Sequence, residues 1–321
     1  MKITHVVCTD NFAGVERHVA TLAAAQHDAG HEVTVLGGRQ ERMRTEINRP
    51  SVLLRPAPDR RTAARHLLGA AGRDADVVAT HMTDADMVAL TCPALAGTPI
   101  VSTRHFAAHR GATPGHRWVA ERAEGKLAAE ISVSDFVAHS VGGDTTVVMP
   151  GIPDRDNPLE ASGREPFVLV AQRLQREKAT DVAVRAFAES GLAHRGWRLA
   201  LAGEGADRDQ LTTLAADLGI GSSVDFLGYR SDLQELMSRA SLFCATATAE
   251  PMGLSVLEAM ANGLPVVASA AGGHLESVGG ADGAALFAPG DAVAAGELLA
   301  LLAGDPQLRD AYGSSLRARQ R

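Results

Sequence analysis

The 321-residue chain reads as an α/β protein made of two parallel-sheet domains. Three observations predict that class. Short apolar, β-branched runs alternate with longer amphipathic segments from end to end, the pattern of parallel sheets covered by helices. The length is generous for one hydrophobic core and comfortable for two. The alternation pauses once, at 150–165, where Pro150, Pro153 and Pro158 stand in a segment without periodicity.

The first series of apolar runs predicts strands at 2–8, 32–37, 76–80, 99–103, 129–133 and 145–149. The second predicts strands at 166–171, 197–202, 223–227, 241–246, 265–269 and 284–287. Amphipathic stretches at 15–29, 178–190, 208–218 and 291–303 supply covering helices. The expected organisation is a Rossmann-like domain over 1–150, a linker over 151–165 and a second Rossmann-like domain over 166–321. Residues 37–50 carry Arg39, Arg42, Arg44 and Arg49 behind Gly37-Gly38, and are expected to form a mobile surface loop. Sheets of this kind bind ligands beyond the C-terminal ends of their strands. Two domains with those ends facing each other would make a cleft.

Composition narrows the function. Residues 1–155 balance 17 basic against 17 acidic side chains, whereas 156–321 carry 14 against 21. Neither half has the basic excess of a duplex nucleic-acid binder, so no nucleic-acid partner is expected. Cys8, Cys92 and Cys244 stand in apolar contexts without metal spacing and read as free thiols of a reducing compartment. No apolar run is long enough to span a bilayer, and Met1–Cys8 reads as a strand rather than a signal peptide. A cytoplasmic location is expected. Lysine occurs only at 2, 126 and 178, and the Arg- and Ala-rich usage suggests a bacterial, GC-rich source.

The stretch Glu250-Pro-Met-Gly-Leu-Ser-Val-Leu-Glu258, continuing as Ala259-Met-Ala-Asn-Gly-Leu-Pro-Val-Val-Ala268, is the most informative part of the chain. A turn at Gly253 opens a predicted helix, with one carboxylate ahead of it and the other one to two turns inside. A helix N-terminus attracts phosphate through free N–H groups and its dipole. Carboxylates beside such a site repel phosphate and suit the hydroxyls of a sugar and a ribose. A lone pair of glutamates at this spacing is more often an ordinary helix surface. The whole stretch, however, resembles the donor-binding signature of the retaining GT-B glycosyltransferases of family 4, E-x-F-G-x-x-x-x-E followed by A-M-A-x-G-x-P-V-V-A. Met252 stands where phenylalanine is usual.

That resemblance implies a GT-B fold, two Rossmann-like domains facing each other across a cleft, and transfer of a sugar from a nucleotide-diphospho-sugar with retention and without a metal. Ala171-Gln-Arg-Leu-Gln-Arg-Glu-Lys178 is similar to the family's G-R-L-x-x-E-K-G, with Gln172 and Ala179 replacing glycines. It implies that Arg173 and Lys178 hold the diphosphate, whose charge grows as the glycosidic bond breaks. Glu250 is then assigned to the donor sugar and Glu258 to the ribose, with Gly253, Leu254 and Ser255 at the phosphate-facing turn. Leu201-Ala-Gly-Glu-Gly205 and Val224-Asp-Phe-Leu-Gly-Tyr229 resemble the family's G-x-G loop and F-L-G segment. They place Gly203, Gly228, Tyr229 and Arg230 near the base. A dinucleotide-binding reading of Gly203-Glu-Gly205 is weak, because position 208 is Arg. Gly272 and Gly273, in Ala271-Gly-Gly-His-Leu-Glu276, are expected to present backbone N–H groups to the donor. Glu276 either joins them or only caps a helix.

In the first half, Phe12-Ala-Gly-Val-Glu-Arg-His18 resembles G-G-x-E-x-x-V, so the Gly14 N–H is expected at the diphosphate. His105, closing Val101-Ser-Thr-Arg-His105, matches the histidine that contacts the donor sugar. His81 is a second candidate on the acceptor side. Asp84-Ala-Asp86 invites a metal reading, yet acids here equally favour a helix start, and no metal or other cofactor is expected. The family usually ends in a helix crossing back to the first domain. The sequence closes at Leu316-Arg-Ala-Arg-Gln-Arg321, about where that helix would begin, and the expectation is that it is missing. The donor is expected to be UDP- or GDP-linked, and the acceptor a lipid, polysaccharide or natural-product hydroxyl. The arginines of 37–50 and of the Arg104–Arg122 region leave peripheral membrane contact open. Two other readings stay open: an epimerase or phosphorylase of the same fold, and a weakly active nucleotide-binding partner subunit.

Overall fold

The computed structural model describes residues 1–108, 125–155 and 160–321. Arg110, Arg117 and Arg122, which belong to the Arg104–Arg122 region read above as open to membrane contact, lie outside the described residues. The chain divides into two compact units, Met1–Gly151 and Ile152–Arg321.

The first unit is a seven-stranded parallel sheet in the order β3-β2-β1-β4-β5-β6-β7. Its strands are β1 (Lys2–Val6), β2 (Glu32–Leu36), β3 (Leu53–Arg55), β4 (Val77–His81), β5 (Ile100–Arg104), β6 (Ala129–Ser132) and β7 (Thr146–Val147). The central strands are largely buried on both faces because helices cover both, as parallel crossovers require. The order reverses between β1 and β4, which pair in register from Ile3↔Val77 to Val6↔Thr80. That reversal is where doubly wound sheets open a binding crevice.

Two expectations for this unit need correction. The Arg-rich 37–50 segment is not a bare loop but contains the helix Gln40–Ile47. Met43 and Ile47, four residues apart on one helix face, are 0% and 2% exposed and join Val19, Ala23 and Val35 in one core. Its arginines remain on the outer face, and Arg49 forks onto Asp28 at 2.6 and 2.7 Å. Two apolar residues in eight are too few for periodicity to show. The three-residue edge strand β3 is also absent from the sequence-derived strands, since three residues carry no alternation.

The second unit is a six-stranded parallel sheet in the order β10-β9-β8-β11-β12-β13. Its strands are β8 (Glu165–Ala171), β9 (Arg198–Ala202), β10 (Val224–Gly228), β11 (Ala240–Ala245), β12 (Val266–Ser269) and β13 (Ala285–Phe287). Every residue of β11 is buried. Leu242 and Phe243 pair with Val168 and Leu169 of β8, and each such side chain contributes about 1.5–3 kcal/mol on burial. Arg164, just before β8, is buried and donates to the carbonyls of Met237, Ala240 and Asn262 at 2.7–3.0 Å. The last helix, Pro306–Gln320, lies on this unit: Tyr312 donates to Val266 O at 2.8 Å, and Arg317 and Arg321 pair with Asp154.

Cys8 and Cys244 are buried and unpaired, and burial pushes both thiols up to about 12. No helix among the described residues is long and apolar enough to cross a membrane.

Candidate active site

In the second unit the strand order reverses between β8 and β11, and the loops leaving these two strands are stitched together there. The amide of Gln172 reaches Lys178 O at 3.0 Å, Thr180 Oγ1 at 2.9 Å and Thr246 Oγ1 at 3.2 Å. Thr246 itself donates to Lys178 O at 2.9 Å. A glycine at 172 could make none of these bonds, so a side chain holds this loop at a position where the resembled pattern has glycine. Ala179, at φ 47°, occupies the left-handed turn that glycine would take without strain.

The stitching brings Lys178 and Glu250 into contact. Lys178 Nζ lies 2.5 Å from Glu250 Oε2, and both side chains are more than four-fifths buried. Charge-assisted contacts of this kind are stronger than neutral ones. Arg173 does not join them. Its exposed guanidinium donates to Glu177 at 3.0 Å and to Gln175. Convergence of Arg173 and Lys178 on one point, expected from the loop, is not the arrangement seen; each cation takes its own carboxylate.

Gly253 (φ 85°) turns the chain from Glu250 into the helix Leu254–Ala261. The carbonyl of Gly253 accepts the Val256 and Leu257 N–H groups. The preceding N–H groups, of Leu254 and Ser255, have no hydrogen-bond partner among the described residues, as helix starts dictate. Glu258 is 6% exposed inside this helix.

Gly272 and Gly273, expected to face the donor, pack against the backbone of Glu250. The Gly273 N–H is donated to Glu250 O at 2.8 Å, so it is engaged within the protein rather than offered outward. A Cβ at Gly272 would lie 2.2 Å from that same carbonyl. The pair lets the backbone pack directly against Glu250 and sets its position. His274 was not singled out from the sequence. It is 1% exposed, lies beside Gly253, and burial lowers its pKa despite the nearby Glu250 carboxylate. The Gly-Gly-His order was its only sequence signal. Glu276 lies in the short helix Gly273–Ser277, where its carbonyl accepts from Arg319 at 2.6 Å.

Gly203 and Gly205 permit close passage of loops: a Cβ at either would sit 1.9 Å from the carbonyls of Gln172 and Leu174. Gly203 N donates to Gly228 O at 2.8 Å. The Glu204 carboxylate, also missed from sequence, reaches the Tyr229 N–H at 3.4 Å. Tyr229 is exposed, and Arg230 forks onto Asp232.

In the first unit Gly14 opens the helix Gly14–Asp28. Glu16 turns back to accept the Ala13 N–H at 2.8 Å, a capping contact worth about 1 kcal/mol. His105 follows β5 and is 8% exposed. It shares a 3.0 Å hydrogen bond with His81, which shares another of 3.0 Å with His5. Burial pulls the pKa of His105 down to about 3. His18 is brought to about 4 by burial and the neighbouring His5. Asp84 pairs with Arg60 at 2.6 Å, whereas Asp86 is buried and accepts from Thr80 and Ser102 at 2.5 and 2.7 Å. The two acids of the D-x-D thus serve separate partners. No cluster of three metal-ligating side chains occurs among the described residues.

Known proteins resemble the chain along its whole length. The family model described as Glycosyltransferase Family 4 matches residues 12–152. Glycosyl transferases group 1 matches residues 152–319. Exopolysaccharide phosphotransferase SCO2592 of Streptomyces coelicolor is 34% identical over 148 residues, 46% of this chain and 16% of that protein. The lipopolysaccharide core biosynthesis mannosyltransferase LpcC of Rhizobium leguminosarum bv. viciae is 29% identical over 221 residues, 65% of this chain and 62% of its own length. The chain therefore spans less than two thirds of these curated relatives. Anabaena Alr3699/HepE, solved in complex with UDP and glucose, superposes with a TM-score of 0.81 at 21% identity, covering 100% of this chain and 94% of that one. Likeness at that identity establishes the fold, two parallel-sheet α/β domains of the GT-B type. Since one family model alone matches more than half of the residues and a second matches most of the remainder in order, the chain belongs to the glycosyl transferases group 1 family.

Proposed function

We propose that the protein transfers a sugar from a nucleotide-diphospho-sugar to an acceptor hydroxyl, with retention of configuration and without a metal ion. One observation carries this reading: the buried Lys178–Glu250 pair stands at the β8/β11 reversal, next to the open N-terminus of the Leu254–Ala261 helix. A diphosphate there would meet the Lys178 ammonium, the Leu254 and Ser255 N–H groups and, after rotation away from Glu177, Arg173. All of these stabilise the charge that accumulates as the sugar leaves. Glu250, released from Lys178, would accept hydroxyls of the sugar, and Glu258 those of the ribose. Family resemblance assigns His105 to the donor sugar, the Gly14 N–H to the diphosphate, and Gly203, Gly228, Tyr229 and Arg230 to the base.

The donor is UDP- or GDP-linked in this reading. The UDP and glucose bound by Alr3699/HepE support a nucleotide-linked sugar as donor. The acceptor is a lipid, polysaccharide or natural-product hydroxyl, and the protein acts in the cytoplasm. The test is transfer from UDP-glucose, UDP-N-acetylglucosamine and GDP-mannose, with and without EDTA, and NMR of the product's anomeric linkage. Transfer that survives EDTA with the donor's anomeric configuration is expected. Absence of binding to every UDP- and GDP-sugar would refute the proposal. Activity lost in EDTA and restored by Mn2+ would overturn metal independence.

A further inference from the structure

Four buried or half-buried histidines of the first unit gather on three neighbouring strands and one helix. His5 lies in β1, His81 ends β4, His105 follows β5, and His18 comes from the helix Gly14–Asp28. Three of them form a hydrogen-bonded ladder. Gln26 Oε1 meets His5 Nε2 at 2.7 Å, His5 Nδ1 meets His81 Nε2 at 3.0 Å, and His81 Nδ1 meets His105 Nε2 at 3.0 Å. His18 packs edge-on against His105 and His81, with ring centroids 5.1 and 6.1 Å away. His5 and His81 are fully buried.

A neutral imidazole has one N–H and one bare nitrogen. In a ladder of neutral rings, the choice at one end therefore sets every ring. Gln26 presents its oxygen, so His5 must donate from Nε2 and accept at Nδ1. His81 must then donate from Nε2, leaving Nδ1 to accept from His105 Nε2–H. His105 is left with a bare Nδ1, which has no hydrogen-bond partner among the described residues. An amide turned the other way would reverse all three bonds and place the proton of His105 on Nδ1.

We propose that Gln26, His5 and His81 are positioning residues that lock His105 in its Nε2–H tautomer, making Nδ1 a neutral acceptor for a donor-sugar hydroxyl. The ladder stands on the first unit alone; its bearing on the sugar rests on the function proposed above. A ring locked this way accepts O–H but cannot attract an anion, so it favours a neutral sugar over one bearing a carboxylate.

The test combines spectroscopy with kinetics. Long-range 1H–15N correlation on 15N-histidine-labelled protein at pH 7.5 should show His5, His81 and His105 protonated at Nε2 only. Gln26→Leu removes the anchoring oxygen and should mix the His105 tautomers, whereas Gln26→Glu keeps an acceptor and should restore the wild-type pattern. Loss of one oriented hydrogen bond corresponds to roughly fivefold in kcat/KM for the donor in Gln26→Leu, with Gln26→Glu near wild type. Protonation of His105 at Nδ1 in the wild type would overturn the proposal. So would a Gln26→Leu tautomer pattern identical to wild type, or altered tautomers with unchanged donor kcat/KM while His105→Ala lowers it. An intact ladder with donor kcat/KM unchanged in both His105→Ala and Gln26→Leu would instead remove His105 from the donor site and leave the tautomer lock standing.

Discussion

Acid should destabilise the first unit well before its carboxylates titrate. His18 and His105 have folded pKa values lowered from 6.5 to about 4 and about 3, chiefly by burial. His5 and His81 are lowered in the same direction and for the same first cause. The sign follows from linkage. Below pH 6.5 the unfolded chain binds a proton at each histidine that the folded unit refuses, so stability is complete above 6.5 and falls as pH drops towards the folded values. Each unbound proton is worth about 1.4 kcal/mol per pH unit. Between pH 7.5 and 5.0, His18 and His105 together remove about 4 kcal/mol, a large share of a typical 5–15 kcal/mol, and His5 and His81 steepen the loss. Carboxylates such as Asp28, held near 2 by its bond to Arg49, lose their contribution only below pH 4. The assay is urea unfolding at pH 7.5 and 5.0, followed by hydrogen exchange of peptides containing β1, β4 and β5. The midpoint should drop sharply at pH 5.0, and His18→Leu should soften the drop by about one proton's worth. Equal midpoints at the two pH values, or a drop unchanged in His18→Leu, would refute the assignment of buried neutral rings.

Three further outcomes are expected. Arg173→Ala should lower kcat by about 100-fold with little change in donor KM, because the charge it offsets grows in the transition state; Glu250→Ala should suppress transfer while leaving nucleoside diphosphate binding, read by calorimetry, nearly intact. Gly272→Ala should destabilise the second unit by about 2–3 kcal/mol in urea melts, since a Cβ would meet Glu250 O at 2.2 Å at φ 54°. Ala179→Gly should be neutral or stabilising by up to about 1 kcal/mol, because relief of left-handed strain at φ 47° outweighs the entropy glycine adds to the unfolded chain; a loss above 1 kcal/mol would show that the turn is not strained.

The fold class was legible because parallel strands buried on both faces leave continuous apolar runs, which alternate with helices along the chain. The turn at Gly253 and the helix after it were legible because they form locally in one contiguous stretch, whereas the roles expected of Glu250 and Glu258 came from the stretch's resemblance to a family signature. Elements without a pattern were not: the helix Gln40–Ile47 shows only Met43 and Ile47 to the core, and β3 is three residues long. Nor could linear order reveal that Gln172 ties the loop after β8 to Thr246, that Gly273 donates to Glu250, or that His274 is buried beside Gly253. The histidine ladder is the clearest case, for His5, His81 and His105 are separated by 76 and 24 residues. Sequence alone sets which side chains can donate, accept or carry charge. Only the strand order β1-β4-β5 sets those three rings on neighbouring strands, and only burial there makes them neutral, because withdrawing water penalises the charged form of each ring.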